Sequence, residues 1–189
     1  QKICPSGAIE APYQINPLSC QSYLTQKQGY LTLEECEKMG NRIFGCDLCQ
    51  KICPFNRDIK AETKEGRLKT KGHLSLTPEE MLNLSKEEFK NYFASTAIFW
   101  RGHNILKRNI LIGLTNSRGN GSLSLLIKSL SAPSSLLRGQ TAILLSSFKT
   151  REAREALAKA LAKEVDIKVK KEIEKALQRI SEVEKPYES

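Results

Sequence analysis

Cys46-Asp47-Leu48-Cys49-Gln50-Lys51-Ile52-Cys53-Pro54 carries the decisive spacing of this chain, Cys-x2-Cys-x3-Cys-Pro. Such a stretch closes the cysteine run that holds paired iron–sulfur clusters, in which the last cysteine, the one before proline, ligates the other cluster. Cys4-Pro5 repeats the ending at the front of the chain. If each run lends its last thiolate to its neighbour, Cys46 and Cys49 need two more ligands, which Cys4 and the isolated Cys20 can supply. One 4Fe-4S cluster is then complete in this chain, and Cys53 belongs to a second whose other ligands lie ahead of Gln1. Soft thiolates hold iron well and offset the charge of the cluster. A structural zinc could also use Cys46, Cys49 and two more cysteines, but zinc leaves the two Cys-Pro endings without a reason. Cys36 stands among Glu34, Glu35, Glu37 and Lys38. Acids beside a thiol disfavour the thiolate, so Cys36 is expected to be a bystander.

All six cysteines precede residue 54 of 189. This crowding, in a chain that opens with no signal peptide, favours metal ligation and a reducing, cytoplasmic setting over a disulfide framework. No apolar run approaches the ~18 residues of a membrane span, and 27% charged against 40% hydrophobic residues suits a soluble globular chain. Because Gln1-Lys2-Ile3-Cys4-Pro5 begins inside a motif, the chain reads as a fragment, with a Cys-x2-Cys-x2-Cys run expected before Gln1. Residues 1–57, rich in Cys, Pro and Gly, read as a small metal-stapled module, with one helical segment at residues 33–39. Residues 58–76 read as a linker.

Helix signals dominate residues 77–189. Thr77-Pro78-Glu79-Glu80 and Ser85-Lys86-Glu87-Glu88 are capping boxes, the first with Pro at the opening helical position. Beyond them an apolar, basic, apolar unit recurs: Leu106-Lys107-Arg108 running to Leu114, Leu137-Arg138-Gly139 to Leu145, and Val169-Lys170-Lys171 to Leu177. Apolar segments at residues 122–130 and 153–162 lie between. The pattern predicts stacked helix pairs of the HEAT-like kind, the alternative being an irregular helical bundle. The predicted fold is therefore mainly α, a partial ferredoxin-like module with paired cluster sites followed by a helical repeat domain.

The net charge of +9 is uneven: 13 basic and 12 acidic side chains precede Arg101, against 17 and 9 from Arg101 onward. No Asp or Glu lies between Glu88 and Glu152. An acid-free basic stretch of that length invites a polyanion. Lys107, Arg108, Arg138, Lys170 and Lys171 recur at one place in successive units and are expected to line an edge that meets phosphates. Trp100, Tyr92 and Phe93 are expected to fill a core rather than stack on bases. His73 and His103 lack metal-site spacing, and His103 is left with at most a phosphate contact. Ile3, Ile43, Phe44, Ile52 and Phe55 are expected to shield the clusters from water.

Cys20-Gln21-Ser22-Tyr23-Leu24-Thr25, the run from Gly40 through Arg42, Gly45 and Cys46 to Gln50, and Cys53-Pro54-Phe55-Asn56 together resemble the epoxyqueuosine reductases. Cys4-Pro5-Ser6-Gly7-Ala8-Ile9, Leu84-Ser85-Lys86-Glu87-Glu88-Phe89 and Leu106-Lys107-Arg108-Asn109 fit the same family. The resemblance implies a cobalamin-dependent enzyme that removes the epoxide oxygen of epoxyqueuosine in tRNA, giving queuosine. It implies two 4Fe-4S clusters, with Cys4, Cys20, Cys46 and Cys49 on one and Cys53 on the other, and cobalamin approached by Ser22, Asp47 and Leu48. It further implies tRNA and an external electron donor as partners, a monomer, and a cobalamin-binding domain that lies outside these residues, so that no catalytic residue is expected here and the chain alone should not turn over substrate. Lys27, Leu48 and Phe55 depart from the family's usual acid, Asp and Trp. Two rivals stand beside this reading: another corrinoid iron–sulfur enzyme of the reductive dehalogenase kind, and a non-enzymatic helical-repeat binding module with a structural metal.

Overall fold

The computed structural model describes residues 3–57 and 76–183. Residues 58–75, most of the expected linker together with His73, lie outside the described part.

The N-terminal module is built from short elements. A two-stranded antiparallel hairpin, β1 (Ile9–Ala11) and β2 (Gln14–Ile15), pairs Ile9 with Ile15 and Ala11 with Gln14. Three short helices follow: α1 (Gln21–Gln26), α2 (Leu33–Met39) and α3 (Leu48–Ile52). The start of α2 is set by a capping box, in which Thr32 Oγ1 accepts from the Glu35 N–H at 3.2 Å and the Glu35 carboxylate accepts from the Thr32 N–H at 3.0 Å.

Both anticipated capping boxes form, opening α4 (Pro78–Asn83) at Thr77 and α5 (Lys86–Phe93) at Ser85. Five further helices follow among the described residues: α6 (His103–Arg118), α7 (Leu123–Ser129), α8 (Ser135–Leu145), α9 (Arg151–Lys163) and α10 (Ile167–Val183). These are the helices the 31- to 32-residue recurrence predicts, and they stack as predicted. In one layer α8 lies between α6 and α10; α7 and α9 touch each other and α8 from the second layer.

Burial follows position in the stack. On α10, Val169, Ile173, Ala176 and Ile180 share one face and are all but fully buried, while Lys171 and Lys175 on the opposite side are exposed. Central α8 is buried nearly all round, from Leu137 to Leu145, because it has neighbours on several sides. Each fully buried Leu or Ile in such a face contributes ~1.5–3 kcal/mol. The main core runs without a break from this stack into the N-terminal module, since Leu24, Leu31, Cys36 and Met39 cluster with Leu111, Leu126 and Leu145. A second core joins Leu84, Phe89 and Phe93 to Leu106, Ile110 and Leu114.

Candidate functional site

The hairpin register decides where the first two cysteines go. The Asn16 N–H donates to Ala8 O at 2.8 Å, so Cys4, four residues before Ala8, and Cys20, four residues after Asn16, leave the hairpin at the same end. Cys20 is then the N-cap of α1. One residue on, buried Gln21 reaches two ways: its amide N–H donates to Lys38 O at the end of α2 at 2.8 Å, and its carbonyl accepts from the Cys46 thiol at 3.3 Å. Gly45 N–H donates to Thr25 Oγ1 at 3.0 Å. The loop carrying Cys46 is thus held against α1 beside Cys20, and α3 carries Cys49 onward to Cys53, its C-cap.

None of the six cysteines is in a disulfide; Cys49 is exposed, and Cys4, Cys20, Cys46 and Cys53 are partly exposed. Burial works against the Cys4 thiolate, but the Ser6 hydroxyl and the backbone N–H groups of Ala8, Ser6 and Ile9 outweigh it and hold the thiol below its ordinary range. Hydrogen bonds of that kind also tune a bound cluster. Among the described residues no three His, Cys, Asp or Glu side chains stand close enough to share a single metal ion. A four-iron cube places each thiolate on its own iron and spreads them wider than one ion does. Five free thiols from three segments of the module, each exposed or partly exposed, are sulfur donors of the kind that suits that group.

Cys36 is set apart, as expected, though for a different leading reason. Burial, more than Glu35 or Glu37, pushes its thiol up to about 12. Its sulfur lies 3.8 Å from Leu31 O, with the Gln140 amide donating to it at 3.4 Å. Lys27, where the family usually has an acid, pairs with Glu35 at the start of α2.

The basic residues nominated for phosphates require correction. Arg108 is fully buried. Its guanidinium donates to Lys27 O and Gly29 O at 2.7 Å each, to Leu24 O at 3.2 Å, and twice to Asn109 Oδ1 at 2.7 and 3.0 Å. It closes the carbonyl end of α1, and burial lowers its pKa to about 10, leaving it a cation at neutral pH. Arg138 forks onto Glu164 at 2.7 and 2.9 Å and also donates to Ala132 O and Pro133 O. Lys107 Nζ donates to Leu84 O, the C-cap carbonyl of α4, at 2.8 Å. The recurring cation at this place in the first two units therefore serves helix ends and loops, because a stack of short helices leaves terminal carbonyls in need of donors. Of the five, only Lys170 and Lys171 stand on a solvated face, half-buried and exposed respectively.

Other expectations change as well. His103 Nε2 lies 2.7 Å from Leu84 O, and burial lowers its proton affinity, so the neutral ring donates there and is not directed at phosphate. Phe93 is buried as expected and Tyr92 half-buried, but Trp100 is 62% exposed. Of the apolar residues expected to shield clusters, Ile43 and Phe44 are half-buried, while Ile3, Ile52 and Phe55 are exposed.

The sequence reading missed three amides. Asn109 donates to Thr25 O and Ile43 O at 2.7 and 2.8 Å, Asn116 to Cys36 O and Gly40 O at 2.8 Å each, and Gln140 pairs with both the N–H and the C=O of Leu31 at 2.7 and 3.1 Å. With Arg108 they suspend the cysteine module from α6 and α8. A polar residue on an otherwise apolar helix face was the available signal, visible at Asn109 between Leu106 and Ile110.

Residues 1–56 match the family model of the 4Fe-4S double cluster binding domain. The chain is 34% identical over 185 residues to the epoxyqueuosine reductase of Bacillus subtilis, covering 93% of this chain and 46% of that protein. An uncharacterized protein of Geobacillus stearothermophilus is 34% identical over 182 residues, covering 94% of this chain and 82% of its own length. Among solved structures, selenomethionine-labelled epoxyqueuosine reductase superposes with a TM-score of 0.80 at 32% identity, over 95% of this chain and 48% of that one. An epoxyqueuosine reductase bound to a tRNA-Tyr epoxyqueuosine-modified stem loop matches with the same TM-score, identity and coverage. The chain spans about half the length of the curated reductases it matches. By its cysteine module, its stacked helices and its sequence, this chain is similar over nearly its whole length to the epoxyqueuosine reductases.

Proposed function

We propose that this chain is the cluster-bearing and RNA-docking portion of an enzyme that reduces epoxyqueuosine to queuosine in tRNA, working with a cobalamin-binding domain and an external electron donor. The observation that carries the reading is the Cys46–Gln21 contact beside Cys20, at the end of the module from which the hairpin also releases Cys4. In this reading residues 1–57 and 77–189 are two functional parts sharing a core. Cys4, Cys20, Cys46 and Cys49 hold one 4Fe-4S cluster, and Cys53 contributes to a second. The clusters, when bound, supply one-electron transfer.

The remaining residues bind and place. Gln21 and Thr25 hold the Cys46 loop on α1, and Arg108 with Asn109 fixes both to α6, so the thiols are preorganised by a rigid stack. Ser22 and Asp47, each one residue beyond the Gln21–Cys46 contact, and Leu48, the first residue of α3, are the groups proposed to face cobalamin. Lys170 and Lys171 on α10 are proposed to meet tRNA phosphates. No helix among the described residues is long and apolar enough to cross a membrane; the free thiols favour a reducing, cytoplasmic setting.

Anaerobic reconstitution with iron and sulfide tests the reading. The expected product is a brown protein with broad visible absorbance that is lost in Cys20→Ala and Cys46→Ala and kept in Cys36→Ala. A colourless protein that takes up stoichiometric zinc through the same thiols would overturn it. RNA docking is tested separately by tRNA affinity that falls as salt rises.

A further inference from the structure

We propose that Trp100 and Arg101 form a stacking platform for an unpaired nucleobase of the docked RNA; the proposal rests on the RNA-docking reading and adds to it a site that reads single-stranded bases. Trp100 lies in the 3-10 turn Phe99–Arg101, between α5 and α6, and is exposed. The Arg101 guanidinium carbon stands 3.6 Å from the indole centroid, well inside the range of a cation–π contact. The turn is anchored on its inner side. Phe99 stacks on Phe89 with ring centroids 5.8 Å apart, and the Gly102 N–H closes the turn onto Phe99 O at 3.0 Å. Gly102, at φ 82, then redirects the chain into α6, a left-handed conformation that a side chain would strain. Trp100 is thereby presented outward on a braced knuckle.

Three observations favour RNA as the occupant. An indole carrying a guanidinium is a flat, positively charged π surface, which suits a base and its neighbouring phosphate at once. The turn lies inside the acid-free stretch between Glu88 and Glu152. Arg101 also lines a narrow crevice shared with Ile43 and Phe44, so the platform stands beside the loop that reaches Cys46 two residues later. Arg108, Arg138 and Lys107 are committed to acceptors inside the protein, whereas Trp100 is exposed.

Trp100 is the only tryptophan of the 189 residues, so intrinsic fluorescence reports on it alone. The chain is titrated with a stem-loop RNA bearing unpaired loop bases and with a blunt duplex of equal phosphate number, each at two salt concentrations. The expected result is saturable quenching by the stem-loop and none by the duplex. Trp100→Ala should weaken stem-loop binding about tenfold, the scale of one lost base stack, with unchanged duplex binding and an unchanged melting temperature; Trp100→Phe should recover most of the loss. Stem-loop binding with unquenched Trp100 and an unaffected Trp100→Ala variant overturns the platform while leaving RNA docking intact. A Trp100→Ala variant that binds RNA normally but no longer associates with a separately supplied cobalamin-binding domain also overturns it, identifying a protein contact instead. If neither RNA binds, the docking reading fails and the platform fails with it.

Discussion

Replacing Arg108 by Met should remove much of the chain's stability margin while leaving the proposed RNA docking untouched. The side chain is fully buried and gives its donors to Leu24 O, Lys27 O, Gly29 O and Asn109 Oδ1. Met fills most of the volume but satisfies none of these acceptors. At ~1–1.5 kcal/mol for each of the carbonyls left without a donor, the loss comes to about 4 kcal/mol. That is a large share of the ~5–15 kcal/mol expected of a native domain, and a melting temperature lower by roughly 10 °C. Urea denaturation followed by circular dichroism measures the first quantity. The slope of RNA affinity against salt measures the second, and it should not change. A phosphate contact at Arg108 would instead reduce that slope by about 0.7–0.9. A variant as stable as its parent, with the slope reduced by that amount, would refute the assignment of Arg108 to the carbonyl end of α1.

Three further outcomes are expected. The hydrogen-bonded Arg138 fork holds the Glu164 carboxyl down to about 2 from an ordinary 4.5, and the Glu164 side chain is only 5% exposed. At ~1.4 kcal/mol for each tenfold change in proton affinity, the fork together with the Val165 and Asp166 N–H groups that donate to the same carboxylate contributes about 3 kcal/mol. Because the folded value is depressed, the contribution is complete above pH ~4.5 and is lost as pH falls toward 2; melts across that range should show the loss in the parent and a flatter limb in Glu164→Gln. A Cβ at Gly139 would meet the Tyr30 ring at 2.4 Å, so Gly139→Ala should cost ~1–3 kcal/mol by overpacking, and a Tyr30→Leu background should recover most of it in a double-mutant cycle. With its thiol pushed up to about 12 by burial, Cys36 should resist iodoacetamide in the folded, metal-free chain at pH 8 while Cys49 reacts; equal labelling of the two by peptide mass analysis would contradict the packing described for α2.

Local pattern carried far in this protein. The apolar recurrence at Leu106, Leu137 and Val169 was enough to predict three stacked helices, because their buried faces repeat in register along the chain. The spacing of Cys46, Cys49 and Cys53, with the Cys-Pro endings, was enough to nominate cluster ligands, and the acids around Cys36 to set it aside. The fate of each charge was not legible, since sequence shows that a cation recurs and not which carbonyl lies within its reach. Lys107 and Arg138 look alike at equivalent places in the repeat; folding turns the first onto Leu84 O and pairs the second with Glu164. Likewise, only the packed turn at Phe99 reveals that Phe93 turns inward and Trp100 outward. Periodicity is a property of neighbours along the chain, so sequence determined the helices and the thiol spacing; hydrogen-bond partners up to 109 residues apart, such as Leu31 and Gln140, exist only once the stack has closed.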